Sequence, residues 1–265
     1  MKRWLVAASL WVCAAHAARS QDFEAASPPL TTRAPDALLD RALPSATPAL
    51  AASAAQTRWW GLPGLETRSV SAGASLNTWR VALGFSQTGE PEVGWTTLGI
   101  GFGAASRHAG AGVRACARSD RDAAYRLTRT FDAAAGAEAG VGAWLDAADG
   151  VRVCASAPQV WTSATAPPLA RPLELGLRVG DANAVWLRLV SPRAGDDGER
   201  ALGLTLYVAP VSVWAEVRDG PLRGSVGIAG RIAQLRVDVR VDAHPVLGET
   251  TRVALAWVRE SGRAP

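Results

Sequence analysis

Leu235-Arg236-Val237-Asp238-Val239-Arg240-Val241 alternates apolar and charged residues without a break. Successive side chains of a strand point to opposite faces, so this run has one greasy face and one fully charged face. Leu173–Val179 and Arg252–Trp257 repeat the pattern, and it extends with short interruptions from about Glu66 to the C-terminus. A sheet with charges at the centre of one face must set that face against water. It is then either the outer face of a soluble sheet or the lining of a membrane barrel.

From residue 66 onward, fourteen strand candidates follow one another: 66–76, 78–88, 92–103, 108–118, 122–132, 136–146, 150–156, 172–180, 183–191, 200–209, 211–218, 222–230, 232–242 and 249–259. Turn chemistry marks the breaks, as at Thr88-Gly89-Glu90-Pro91, Ala148-Asp149-Gly150 and Asp219-Gly220-Pro221. No stretch of helical length shows a helical period, which disfavours an alternating β/α fold.

The chain has 265 residues, 48% of them apolar, and a formal net charge of +4. The basic excess is almost all arginine and is scattered through the strands. It forms no basic stripe with interleaved aromatics, so nucleic-acid binding is not expected. Residues 1–17 read as a secretory signal: Lys2 and Arg3, an apolar run from Trp4, then Ala15-His16-Ala17. Residues 18–57, rich in Ala and Pro, read as a disordered or plug-like segment, and 58–260 as the β domain. No later stretch has the roughly 20 apolar residues of a membrane helix, so a membrane form would have to be a closed barrel.

Three features favour the barrel over a sandwich. The polar parity collects Arg114, Glu174, Arg178, Arg188, Glu216, Arg236, Asp238 and Arg240, with glycines between them, as a hydrated lumen would. The links after candidates seven, nine and thirteen are long, while those at Pro210 and Gly230–Arg231 are tight. Tryptophan is abundant, eleven residues against four phenylalanines and two tyrosines, and Trp suits a membrane interface. Trp144, Trp186 and Trp214, however, fall at the polar parity, which an interfacial girdle does not explain.

The glycine-rich strands Val70-Ser71-Ala72-Gly73-Ala74 and Leu98-Gly99-Ile100-Gly101-Phe102-Gly103, with His244-Pro245-Val246-Leu247-Gly248 before the last strand, resemble the FadL-like outer-membrane barrels of PorV/PorQ type. The resemblance implies passage of hydrophobic molecules or a shuttle role in protein secretion.

Catalytic chemistry is not in view. No G-x-S-x-G, H-E-x-x-H, P-loop or dinucleotide fingerprint occurs, so no enzyme activity, cofactor or metal is expected. His244 with Asp242 or Glu249 is the only acid–histidine pair, and no nucleophile accompanies it. Asp196, Asp197 and Glu199 read as a solvated acidic loop. Cys116 and Cys154 are an exported pair compatible with a disulfide, or else two small space-filling residues.

The expectation is an all-β, antiparallel up-and-down transmembrane barrel of about fourteen strands in a bacterial outer membrane. It would be a non-enzymatic channel, transporter or secretion accessory. Its partners would be outer-membrane lipid and a hydrophobic or anionic small molecule or a secreted protein. The alternative is a soluble secreted or periplasmic sandwich that binds a ligand or partner, with Leu204, Leu206, Val213, Val237 and Leu255 in a dry core.

Overall fold

Each strand of the chain pairs with the next, and the last pairs with the first. The computed structural model describes residues 49–90, 93–122, 135–163, 173–180, 183–190, 199–219 and 222–260. Its elements are β1 (Ala49–Arg58), β2 (Glu66–Leu76), β3 (Trp79–Gly89), β4 (Val93–Ala105), β5 (Ala109–Asp122), β6 (Ala135–Ala148) and β7 (Val151–Thr162). They continue as β8 (Glu174–Val179), β9 (Ala184–Val190), β10 (Glu199–Val208), β11 (Val211–Asp219), β12 (Arg223–Ile232), β13 (Leu235–His244) and β14 (Gly248–Glu260). All neighbours are antiparallel, and β1 closes on β14 from Ala49↔Glu260 to Arg58↔Thr251. Closure leaves no sheet edge with unpaired backbone groups.

Links after even-numbered strands lie at one end, here the turn rim, and are tight: residues 77–78, 106–108, 149–150, 209–210 and 233–234. Their residues suit them. Asn77, at φ 54°, opens a two-residue hairpin, and Gly150, at φ 71°, takes a left-handed backbone that side chains disfavour. Links after odd-numbered strands lie at the other end, the loop rim, and include the longest separations, between β5 and β6, β7 and β8, and β9 and β10. Between β6 and β7 the register shifts from Ala139↔Trp161 to Val141↔Ala157. Pro158 lies in that gap and has no N–H to give the ladder.

Two strand assignments differ from the sequence expectation. Residues 49–57, expected in the irregular lead-in, form most of β1. Its sequence ALAASAAQTR is small on both faces and offers no contrast for a period-two reading, yet it supplies the seam that closes the barrel. Candidate 122–132 keeps only residue 122 among the described residues, as the last of β5, and the rest lies outside them. The signal at 1–17 and the remainder of the lead-in, residues 18–48, also lie outside.

The two faces of the wall differ completely. Leu204, Leu206, Val213, Val237 and Leu255, which a sandwich would bury, are 43–55% exposed. Val70, Leu83, Leu98, Ile100, Phe102, Val113, Val141, Leu175, Leu187, Val226 and Val253 are exposed with them, so the apolar face runs around the whole barrel on its outside. The fold is a closed barrel with its polar parity inward, and the soluble sandwich is set aside. Outside, Trp79 stacks on Phe102 at the turn rim, ring centroids 5.2 Å apart.

Candidate functional site: the barrel interior

Inward residues alternate with the outer belt, and most are buried. Trp186, Arg188 and Glu216 are each 1% exposed. Charges withdrawn this far from water must be paired, and they are.

On β8–β12, Arg188 reaches Glu174 at 3.6 Å, Glu199 at 3.2 Å and Glu216 at 3.5 Å. Arg218 bonds Glu216 and lies 3.9 Å from Glu199, and Arg223 donates to Glu199 at 2.6 Å. Trp186 Nε1 donates to Glu216 at 3.2 Å. On β12–β13, Arg240 donates to Asp242 at 2.5 Å, Asp242 also takes Ser225 Oγ, and the Arg240 guanidinium lies over the Trp214 ring at 5.1 Å. On β5–β7, Arg114 bonds Glu138, and Arg152 bonds Asp146 at 2.6 Å while lying 4.0 Å over the Trp144 ring.

Of the residues expected at the lumen, the structure therefore joins Glu174, Arg188 and Glu216 in one network. Arg240 sits across β12 from it. Arg114 lies apart, on β5. Arg236 and Asp238 pair with each other at 2.7 Å near the turn rim. Arg178 is half-buried, opposite Trp186 on β9 and Arg152 on β7. Sequence reading missed Glu199: assigned to a solvated acidic loop, it instead begins β10 and holds three arginines. Its place two residues before Ala201, itself buried, would have given its parity.

Trp144, Trp186 and Trp214 are inside, with Cys154 and Ala105, in one apolar cluster reaching from β4 to β11 near the turn rim. Each tryptophan stands opposite a glycine: Gly110↔Trp144, Gly203↔Trp186 and Gly227↔Trp214. A Cβ on Gly203 would lie 2.3 Å from Trp186 Cζ2, and one on Gly227 would lie 2.4 Å from Trp214 Cε2. A large ring covering a cross-strand glycine is a known way to fill a barrel wall. The parity mismatch left open by the girdle reading is thereby explained.

A second aromatic group lies at the loop rim. The β1–β2 link turns inward so that Trp59, Trp60 and Leu65 are buried with Trp95. Trp59 Nε1 donates to Thr67 Oγ1 at 2.8 Å, and the Trp60 amide donates to Thr250 Oγ1 at 3.3 Å. Beneath these rings lies a solvent-open cavity whose walls include Arg218, Arg223, Arg240, Arg252 and Asp242. His244, the candidate acid–base partner, instead accepts the amides of Val246 and Leu247 on Nδ1 and so closes the β13–β14 turn.

The disulfide is not formed; Cys116 and Cys154 are separate buried thiols. They lie on β5 and β7, on opposite sides of β6. Against β6, Cys116 faces Glu138 and Cys154 faces Trp144. Two strand spacings are about 10 Å, and six residues along a strand add about 20 Å, well beyond the ~7 Å limit for bridged Cα atoms.

No protein-family model and no curated protein matches this chain. Among solved structures, a mutant of the Rhodopseudomonas blastica porin matches with 11% identity over 80% of this chain and 99% of its own, with a TM-score of 0.45. A triple mutant of that porin matches with 12% identity over the same shares and a TM-score of 0.43. These are porins, and neither match singles out the FadL-like branch that the sequence resembles.

Proposed function

We propose that the protein is an outer-membrane β-barrel serving as an occluded passage for small polar solutes. The carrying observation is the exposed apolar belt on a closed barrel. In water such an area would drive association, whereas in hydrocarbon it is at home, and closure satisfies every strand edge. The turn rim holds both barrel ends, Ala49 and Glu260, and would face the periplasm, with the loop rim outward.

Barrels with more strands enclose an aqueous channel, and eight-stranded ones are filled by their own side chains. The interior here supports an intermediate state: a tryptophan layer near the turn rim, a tryptophan cap at the loop rim, and paired charges between them. Pairing fixes the arginines and carboxylates in place and narrows the lumen. A secretion-accessory role is the other reading of the resemblance; the arginine-walled cavity favours a solute.

Planar-bilayer recording tests this. The wild-type protein should give small or rare conductance steps. Trp186→Ala with Trp214→Ala should raise conductance several-fold with the barrel still heat-modifiable. Large, steady wild-type steps, or no change in the double variant, would contradict an occluded passage.

A further inference from the structure

We infer that the cavity beneath Trp59 and Trp60 is a binding site for a small dianionic solute of the phosphate-monoester class. The inference deepens the proposed passage and rests on it for the direction of entry, but not for binding itself.

The lining sets the charge. Arg218, Arg223, Arg240 and Arg252 come from four different strands, and Asp242 is the one carboxylate among the described lining residues. Guanidinium forks drawn from several strands match the oxygens of a phosphate group, which offers more acceptors than a carboxylate. The remaining carboxylates, Glu199 and Glu216, stand behind the cavity wall and hold Arg218 and Arg223 from there. A guanidinium fixed on one side by a carboxylate is oriented for bidentate capture of an oxyanion on the other. Thr57, Thr67, Ser225 and Thr250 add hydroxyls to the same walls.

The roof supplies a second, independent observation. Trp60 has φ 49°, a left-handed backbone that costs a bulky residue energy. The strain is held by the hydrogen bond its backbone N–H donates to Thr250 Oγ1 and by the neighbouring Trp59 ring, centroids 6.0 Å apart. It places two indoles over an arginine-lined cavity, where they would cover the apolar part of a phosphate ester. The cavity lies on the inward parity of β11–β14, away from the lipid-facing belt, which points to a free solute rather than a lipid headgroup.

Calorimetric titration of the full-length protein, in micelles of a phosphate-free detergent, tests the assignment with phenyl phosphate, benzoate and dioctanoyl phosphatidic acid as probes. Phenyl phosphate should bind saturably with one site per chain, and benzoate roughly tenfold or more weaker. Arg252→Gln and Arg223→Gln should each weaken phenyl phosphate about tenfold or more, the scale of a lost hydrogen bond to a charged group. Arg231→Gln, at the opposite rim, should leave it unchanged. Heat-modifiability of each variant checks that its barrel is closed, and Arg252→Lys provides a milder change should the glutamine variants fail to fold. The inference is overturned by absence of saturable binding to a closed wild-type barrel, by equal binding of benzoate, by phosphatidic acid binding where phenyl phosphate does not, or by unchanged affinity in the arginine variants. Each of these results leaves the barrel itself standing; loss of heat-modifiability in the wild type would remove the proposed passage instead.

Discussion

The indole of Trp186 occupies the space where a side chain on Gly203, directly opposite on β10, would begin. Three of these tryptophan–glycine pairs fill the interior near the turn rim, and at Gly203 and Gly227 they leave no room for a Cβ.

Gly203→Ala should therefore destabilise the barrel by about 1–3 kcal/mol, the range for overpacking. Its Cβ would also meet the backbone oxygen of Ala215 at 2.8 Å, and backbone cannot give way as a flexible side chain can. Gly224→Ala, whose Cβ would meet nothing within 4 Å, should be close to neutral. Urea unfolding of the refolded barrel in micelles checks the contrast, and equal effects at the two sites would refute it.

The apolar belt predicts a depth profile. Leu255, opposite Ala54 and Val237 in the middle of the wall, should cost about 2–4 kcal/mol on replacement by Arg. Ile232, beside the tight 233–234 turn, should cost about 0–1 kcal/mol for the same change. Unfolding in lipid vesicles measures both, and a flat profile would place the belt elsewhere than in hydrocarbon.

Glu216 joins Arg188, Arg218 and the Trp186 indole in one buried group. Glu216→Ala leaves two guanidiniums without that carboxylate in a low-dielectric interior and should cost about 3–5 kcal/mol. Cutting the exposed Arg200–Asp219 pair with Asp219→Ala should cost about 1 kcal/mol or less. Urea midpoints of the two variants separate a buried network from a surface pair.

Much of this was legible in the alternation. Residues such as Leu235–Val241 declare two unlike faces, and turn residues such as Thr88-Gly89-Glu90-Pro91 and Ala148-Asp149-Gly150 mark the breaks, so an antiparallel all-β chain of about fourteen strands followed. The strand count agreed although two assignments did not. β1 is alanine on both faces, so no period shows, and its strand character comes from pairing with β2 and β14. The sequence also could not show which interior charges meet. Arg188 and Glu199 are joined only by the register of β9 on β10, and Cys116 and Cys154 are kept apart only by the intervening β6. The inward tryptophans had a readable signal, a glycine across the strand, but it required the register to interpret.

Both thiols should remain titratable. Denaturing the oxidised protein without reductant and labelling with maleimide should modify Cys116 and Cys154 alike, with no mobility change on non-reducing gels. A cross-linked chain would mean that β5 and β7 are adjacent, contrary to the observed order.

The most direct test is heat-modifiability of the protein in washed membranes of the producing cells. Recovery in the outer-membrane fraction, migrating faster before boiling than after, is the predicted result, because a closed barrel with a lipid-facing belt stays folded in SDS. Recovery in the soluble periplasmic fraction with no heat shift would contradict it, since the exposed leucines and valines of the outer wall would then have to be buried by something other than lipid.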